Sequence, residues 1–209
     1  FRRVLFRSVA VTGLLMVGFI VAHLSGNLLI FAGPEAIANY AEGLRKFPAL
    51  LLIARLGLAV ATLLHVSVAI KLNLNSQTAR PVKYVKKTFI RATFASRTMV
   101  HTGLLVLFYV AFHLAQFTFR YTDPAITALG PWEVHRMLVM TFSNPLWAAL
   151  YIATMVVLGL HLSHGISSVF QTLGINHPKY NFAIQKLGPV LGTDRKSTRL
   201  NSSHTDISR

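Results

Sequence analysis

The chain of 209 residues contains no cysteine. This absence excludes disulfides, thiolate metal sites, iron–sulfur clusters bound by the chain itself and covalent attachment of a c-type haem. Nine histidines are present, and the neutral imidazole is a common metal ligand in proteins. Any metal centre in this chain is therefore expected to depend on histidine.

Charged residues are scarce, at 13% of the chain, whereas apolar residues make up 53%. A soluble domain usually carries about 25% charged residues. Three long windows have no formal charge at all, namely residues 9–31, 99–119 and 145–170, and a fourth, 49–70, is interrupted only by Arg55. Each window reaches the roughly 20 residues that a helix needs to cross a bilayer. We predict an all-α fold, a transmembrane helical bundle with four spans.

Acidic residues are the scarcest charged group, with six Asp and Glu against 21 Lys and Arg. None of the six lies in a span, so the chain offers no intramembrane carboxylate relay for protons. The positive charges sit in loops and at the ends, which argues against a nucleic-acid partner. The segment from Lys71 to Arg97 alone carries seven of them. By the positive-inside rule, this segment and the N-terminus are predicted to be cytoplasmic.

The two ends of the chain differ in composition from the rest. Residues 197–209 are polar and aperiodic, and residues 1–8 are similarly unusual. We expect residues 1–8 and 193–209 to be non-native or disordered and the transmembrane domain to cover 9–190. The apolar residues 181–191 are predicted to be the stub of a fifth helix, and residues 132–141 a short interfacial helix.

Each span carries one histidine about two-thirds of the way along its length: His23, His65, His113 and His161. Because successive spans run in opposite directions, His23 and His113 are predicted nearer the outer face, and His65 and His161 nearer the inner face. Two pairs at two depths could bind two b-type haems, each iron held by imidazoles from two helices. A lone intramembrane histidine more often forms a hydrogen bond to a neighbouring helix. Four histidines in pairs of matched depth favour haem binding instead.

Other polar residues are candidates for supporting roles. Arg55 lies near the depth of His23, where it could neutralise a haem propionate or simply snorkel to the surface. Ser96 and Arg97, at the inner end of the third span, could bind the propionates of the inner haem or a quinone carbonyl. Alternatively, Arg97 serves only as a positive charge that sets the membrane topology. His164 could replace His161 on spacing alone. Gly26 could let a flat macrocycle approach the first helix.

Several short motifs lie in or beside the four apolar windows: VTGL at 11–14, AHLSGNL at 22–28, FAG at 31–33, SRTM at 96–99 with TG at 102–103, FHLAQF at 112–117, and HLSHG at 161–165 leading to FQTLG at 170–174. In combination they resemble the cytochrome b subunit of B-type succinate dehydrogenases and fumarate reductases. The resemblance covers roughly residues 9–190.

That resemblance implies five spans and two b haems, with His23 and His113 binding the distal haem and His65 and His161 the proximal one. The family's fourth-helix ligand lies thirteen residues before the glycine matching Gly174, which selects His161 over His164. A flavoprotein subunit and an iron–sulfur subunit are implied as partners. A quinone, usually menaquinone, is implied as substrate, and the bacterial cytoplasmic membrane as the location. Beyond residue 191 the expected fifth helix is missing.

Three other functions remain open. One is a diheme cytochrome b of a hydrogenase or formate dehydrogenase, and another is a haem-free structural anchor. The third is a transporter that uses histidines as proton relays, which we disfavour because no internal repeat or broken helix is evident in the sequence. If the main interpretation holds, the segment from Lys71 to Arg97 is expected to form part of the docking surface for the iron–sulfur subunit.

Overall fold

The structure is a computed structural model that describes residues 2–79, 94–130 and 132–174. Within these ranges it is helical throughout apart from short connections, so the predicted all-α fold is confirmed there. The expected fifth-helix stub at 181–191 and the expected foreign tail at 193–209 lie outside the described residues. The same holds for most of the basic segment between the second and third spans.

Seven α-helices follow one another along the described chain. They are α1 Arg2–Asn27, α2 Pro34–Arg45, α3 Pro48–Thr78, α4 Phe94–His113, α5 Pro124–Thr127, α6 Val134–Ser143 and α7 Pro145–Thr172. A 3-10 turn, Leu28–Ala32, extends α1, and a π-helical turn, Leu114–Thr118, extends α4. The four helices α1, α3, α4 and α7, taken with these extensions, are long and apolar enough to cross a membrane. A short helix is present where the interfacial helix was expected, as α6.

Two helices differ in length from the sequence expectation. α1 begins at Arg2, so residues 2–8 continue the first helix where non-native or disordered chain was expected. α3 runs to Thr78, beyond the apolar window that ends at residue 70, and α4 already begins at Phe94. A helix can continue into water because its backbone groups stay hydrogen-bonded internally. Hydropathy therefore marked where the apolar stretch ends, but not where the helix ends.

The helix starts follow local sequence signals. A proline occupies the first turn of α2, α3, α5 and α7, where its missing N–H costs nothing. The side chains of Asp123 and Asn144 cap α5 and α7 by accepting hydrogen bonds from the N–H groups of Ala125 and Leu146. Gly33, between α1 and α2, has a φ of 106°, which favours glycine.

The four long helices form a ring. α1 packs against α3 and α7, and α4 packs against α7 and, over a shorter length, α3. α1 therefore faces α4 across the ring, and α3 faces α7. Small residues lie buried where α1 and α3 meet their neighbours: Ala10, Gly26 and Ala61. Small side chains let helix backbones approach closely in membranes, where packing contacts hold helices together.

Most of each long helix faces outward. Only 6% of the residues in each apolar window are buried, and side chains as large as Ile53, Phe108 and Leu146 are 68%, 73% and 69% exposed. Exposed apolar surface of this extent is typical of a surface that contacts a membrane or another protein. The exposed aromatic rings of Phe31, Phe47, Phe119 and Tyr121 lie close to helix ends on one side of the bundle, as expected of a membrane interface.

The short helices α2, α5 and α6 cover one end of the ring, the end that the positive-inside rule predicts to be the outer one. Their core is formed by the buried residues Ile37, Ile126, Met137 and Leu138. α2 packs against α6, and the guanidinium carbon of Arg45 lies 4.9 Å from the ring centre of Trp132, in a cation–π contact. We refer to α2, α5 and α6 together as the outer cap.

The loop between α4 and α6 is fixed by polar contacts. Arg120, at a left-handed φ of 58°, donates a hydrogen bond of 2.8 Å from Nη1 to the carbonyl oxygen of Leu129. The N–H of Gly130 and the guanidinium of Arg136 hold the pKa of the Glu133 carboxyl below its usual range. These contacts fix the start of α6 above the ring.

Gly26 provides a test of how α2 is held against α1. A Cβ at this position would lie 2.6 Å from Cε1 and Oη of Tyr40, whereas a Cβ at Gly18 in the same helix would meet nothing within 4 Å. We expect Gly26→Ala to displace Tyr40 and to lower the free energy of unfolding by about 1 kcal/mol relative to Gly18→Ala. Thermal unfolding in detergent measures this, and equal melting temperatures would contradict the packing.

The orientation in the membrane is testable because the chain has no native cysteine. Ser76, near the end of α3, and Ala128, in the outer loop, are both exposed. If the positive-inside rule sets the topology, a membrane-impermeant maleimide applied to intact cells should label Ala128→Cys and not Ser76→Cys. The opposite labelling pattern would place the N-terminus outside.

Candidate metal-binding histidine pairs

His65, on α3, is held by the first helix. Its Nδ1 lies 3.2 Å from the carbonyl oxygen of Val9 and 3.2 Å from Oγ1 of Thr12. A carbonyl can only accept, so Nδ1 carries the proton. The Thr12 hydroxyl donates to the carbonyl of Ser8 at 2.7 Å, which leaves its oxygen free to accept as well. Nε2 of His65 therefore carries the lone pair that can bind a metal.

His161, on α7, is held in the same way by α4. Its Nδ1 lies 3.2 Å from Oγ1 of Thr102. Thr102 is buried, and its hydroxyl donates to the carbonyl of Thr98 at 3.1 Å. The same tautomer follows, with Nε2 as the nitrogen available to a metal.

A glycine lies against each of these two rings. A Cβ at Gly13 would be 3.2 Å from Cε1 of His65, and a Cβ at Gly103 would be 3.1 Å from Cε1 of His161. Both imidazoles thus approach the bare backbone of a neighbouring helix closely. His65 and His161 lie on helices that are opposite each other in the ring.

His23 and His113 form the second pair, from α1 and α4. Their ring centres are 5.8 Å apart, with the ring planes at 90°. A metal held between two imidazoles needs roughly 6 Å between ring centres, because each metal–nitrogen bond is about 2 Å long. The separation therefore suits two axial ligands on one metal.

His113 also has its Nδ1 fixed by another helix. This atom lies 3.3 Å from Oη of Tyr151 on α7, and the Tyr151 hydroxyl donates a 2.7 Å hydrogen bond to Oε1 of Gln116. Because the tyrosine proton is used in this way, its oxygen accepts from Nδ1–H of His113. Gln116, 1% exposed, lies on the π-helical turn that follows His113. Turns of this kind often occur at functional sites.

Aromatic rings enclose the His113 side of the outer pair. Tyr109, Phe117 and Tyr151 all lie within 6.2 Å of the His113 ring centre. Phe142, from the outer cap, meets Tyr151 edge-on at 5.0 Å. His23 has only Phe19 stacked beside it, at 5.3 Å, and its nitrogens have no hydrogen bond within the part of the chain that the structure describes.

The remaining predicted site residues lie apart from the rings. Arg55 is an exposed residue of α3, and no hydrogen bond or ion pair joins it to another described residue. Ser96 and Arg97 are in the first turn of α4, half-buried and exposed respectively. Nε2 of His164 is hydrogen-bonded to Oγ of Ser168 at 3.1 Å, whereas Nε2 of His161 has no such partner among the described residues. Gly26, expected to face a macrocycle, instead packs against Tyr40.

The residues that hold these histidines had no role predicted from the sequence. Thr12 precedes His23 by eleven residues, and Thr102 precedes His113 by the same number, with a glycine after each threonine. A Thr-Gly pair whose threonine lies eleven residues before a span histidine thus occurs twice in the sequence. This repeated spacing is the signal that could have found Thr12, Gly13, Thr102 and Gly103.

The described residues contain no group of three or more His, Cys, Asp or Glu side chains that could hold a metal ion. A haem does not need one, because the porphyrin supplies four nitrogens and the protein only the axial ligands. Comparisons add no family assignment: no family model, curated protein or solved structure matches the chain.

The hydrogen bond between Tyr151 and His113 can be tested without any cofactor. Tyr151→Phe leaves both His113 Nδ1 and Gln116 Oε1 without their partner, and we expect it to lower the free energy of unfolding by about 1–3 kcal/mol. Tyr109→Phe is the matched control, because its hydroxyl makes no hydrogen bond to another described residue. Thermal unfolding of the two variants side by side measures the difference. Equal stability would show that the tyrosine is not an anchor.

Proposed function

We propose that this chain is the diheme cytochrome b membrane anchor of a succinate dehydrogenase or fumarate reductase. His23 with His113 and His65 with His161 are the proposed axial ligands of two b-type haems. The observation that best supports this is the hydrogen bonding of the imidazole rings. Three of the four have Nδ1 hydrogen-bonded to a neighbouring helix, which leaves Nε2 as the free nitrogen.

This arrangement fits haem ligation for a chemical reason. Metal-binding histidines usually donate their other N–H to a carbonyl, a carboxylate or water, which fixes the tautomer and makes the ligand nitrogen more basic. Val9 provides such a carbonyl for His65. In a chain without cysteine, neutral imidazoles are also the strongest axial ligands for iron.

The same hydrogen bonds disfavour proton relay. A relay histidine must take a proton at one ring nitrogen and release one from the other. The Nδ1 proton of His65 points to a backbone carbonyl, which cannot accept the proton itself and pass it on. The spans also contain no Asp or Glu to continue a relay. Electron transfer is therefore favoured over proton-coupled transport.

In this proposal the residues of the chain hold two electron carriers at two depths. When bound, each haem supplies an iron that carries one electron. The inner pair, His65 and His161, lies towards the side where a cytoplasmic iron–sulfur subunit and its flavoprotein partner would dock. The outer pair, His23 and His113, lies below the outer cap, nearer to where a membrane quinone such as menaquinone would react. Arg55, Ser96 and Arg97 remain candidates for propionates or quinone.

An absorbance spectrum of the purified protein tests the haem content directly. We expect reduced-minus-oxidised b-type bands for two haems, and His65→Ala should remove one of them. His101→Ala is the control, because His101 is an exposed residue in the same bundle and is assigned no ligand role. Absence of haem bands from the wild-type protein would contradict the proposal. Retention of both haems in His65→Ala would show that His65 is not a ligand.

The partner subunits provide a separate test. We expect a flavoprotein and an iron–sulfur protein to co-purify with the chain from its native membrane. Replacing Lys83, Lys86 and Lys87 by Glu should weaken this association several-fold without changing haem content, because charge on the cytoplasmic segment would attract the docking subunit. Co-purification of a hydrogenase or formate dehydrogenase subunit instead would assign the chain to that class.

A further inference from the structure

The two hairpins of the bundle are equivalent at several points. In the first, Thr12 and Gly13 on α1 hold His65 on α3; in the second, Thr102 and Gly103 on α4 hold His161 on α7. The distances from histidine Nδ1 to the threonine hydroxyl are both 3.2 Å. The short helices between the spans, α2 and α6, pack against each other.

We propose that α1–α3 and α4–α7 are internal repeats related by a twofold axis along the bundle, and that the paired threonine and glycine are two copies of one positioning element. The inference rests on the proposed function for the identity of the bound group. The positioning itself concerns only the residues of this chain. The ring order of the helices agrees with the axis, since a half-turn carries α1 onto α4 and α3 onto α7.

The repeat relates the members of each histidine pair. A half-turn carries His65 onto His161, and it carries His23 onto His113 because both follow their threonine by eleven residues. Each metal would then lie on the axis, between two equivalent ligands. The inner pair keeps this equivalence in the threonine and the glycine that meet each ring, so the two imidazoles have the same tautomer.

The outer pair departs from the repeat. Tyr151, which accepts from His113, stands ten residues before His161, and the residue ten before His65 is Arg55. A guanidinium has no acceptor atom, so Arg55 cannot hold Nδ1–H as the tyrosine does. Gln116 likewise has Gly26 as its counterpart, with Tyr40 packed against it. One outer ligand is anchored and its partner is not.

The glycines give the sharpest test of the two copies. Gly13→Ala and Gly103→Ala should each push the facing imidazole by a few tenths of an ångström. We expect each to weaken retention of the inner haem by about 10-fold, as is typical when a residue supporting a metal ligand is changed. Gly18→Ala, on α1 with open space around it, is the control and should behave as wild type. An effect of only one of the two variants would overturn the equivalence.

The threonines separate positioning from simple packing. Thr12→Val and Thr102→Val keep the volume but remove the acceptor, so both should raise the midpoint potential of the inner haem and leave the outer one unchanged. Thr12→Ser and Thr102→Ser keep a hydroxyl and should restore the wild-type potential. Valine variants with wild-type potentials would overturn the positioning role.

A spectroscopic readout distinguishes failure of this inference from failure of the proposed function. In the purified chain without haem, ¹⁵N NMR should show His65 and His161 as Nδ1–H tautomers, and Gly13→Ala should shift the His65 signal only. If wild-type protein never binds haem but these signals appear, the function is wrong and the positioning stands. Nε2–H tautomers at both histidines would overturn the positioning, whatever the haem content.

Discussion

The hydrogen bonds from histidine Nδ1 atoms to neighbouring helices are the interactions on which the rest of this structure depends. In a hydrocarbon environment an unpaired N–H group is costly, because no water is available to replace a missing partner. His65, His161 and His113 each meet this requirement with an acceptor on another long helix. These bonds connect α1 to α3 and α4 to α7, and they determine which ring nitrogen remains free.

Elsewhere in the bundle, small residues let the helices pack closely, and polar contacts between helices are few among the described residues. Small residues such as Ala10 and Ala61 bring helices together, and Gly13 and Gly103 let imidazoles lie against bare backbone. The outer cap adds a small apolar core of its own and closes over Tyr151 through Phe142. The two histidine pairs thus differ in their surroundings. The two inner histidines have similar neighbours, whereas the two outer histidines, beneath the cap, have different neighbours.

Sequence patterns identified the helices because the bilayer imposes a length and a composition that can be read without knowing the fold. All four apolar windows lie in long helices, and proline with Asp or Asn marks several helix starts, as local capping chemistry requires. The same patterns failed where tertiary contacts decide. Hydropathy did not show that α3 continues to Thr78. Gly26 is small enough to lie against a macrocycle, but the ring of Tyr40 packs against it.

The sequence by itself determined that the chain is helical, that four helices are apolar enough for a membrane, and that each carries a histidine about two-thirds of the way along its apolar window. These properties follow from composition and spacing along the chain. Only the tertiary structure decided which nitrogen is free in His65, His113 and His161, that His164 is hydrogen-bonded to Ser168, and that Tyr151 and Gln116 support His113. Those facts depend on side chains from different helices meeting in space, and no spacing along one helix specifies them.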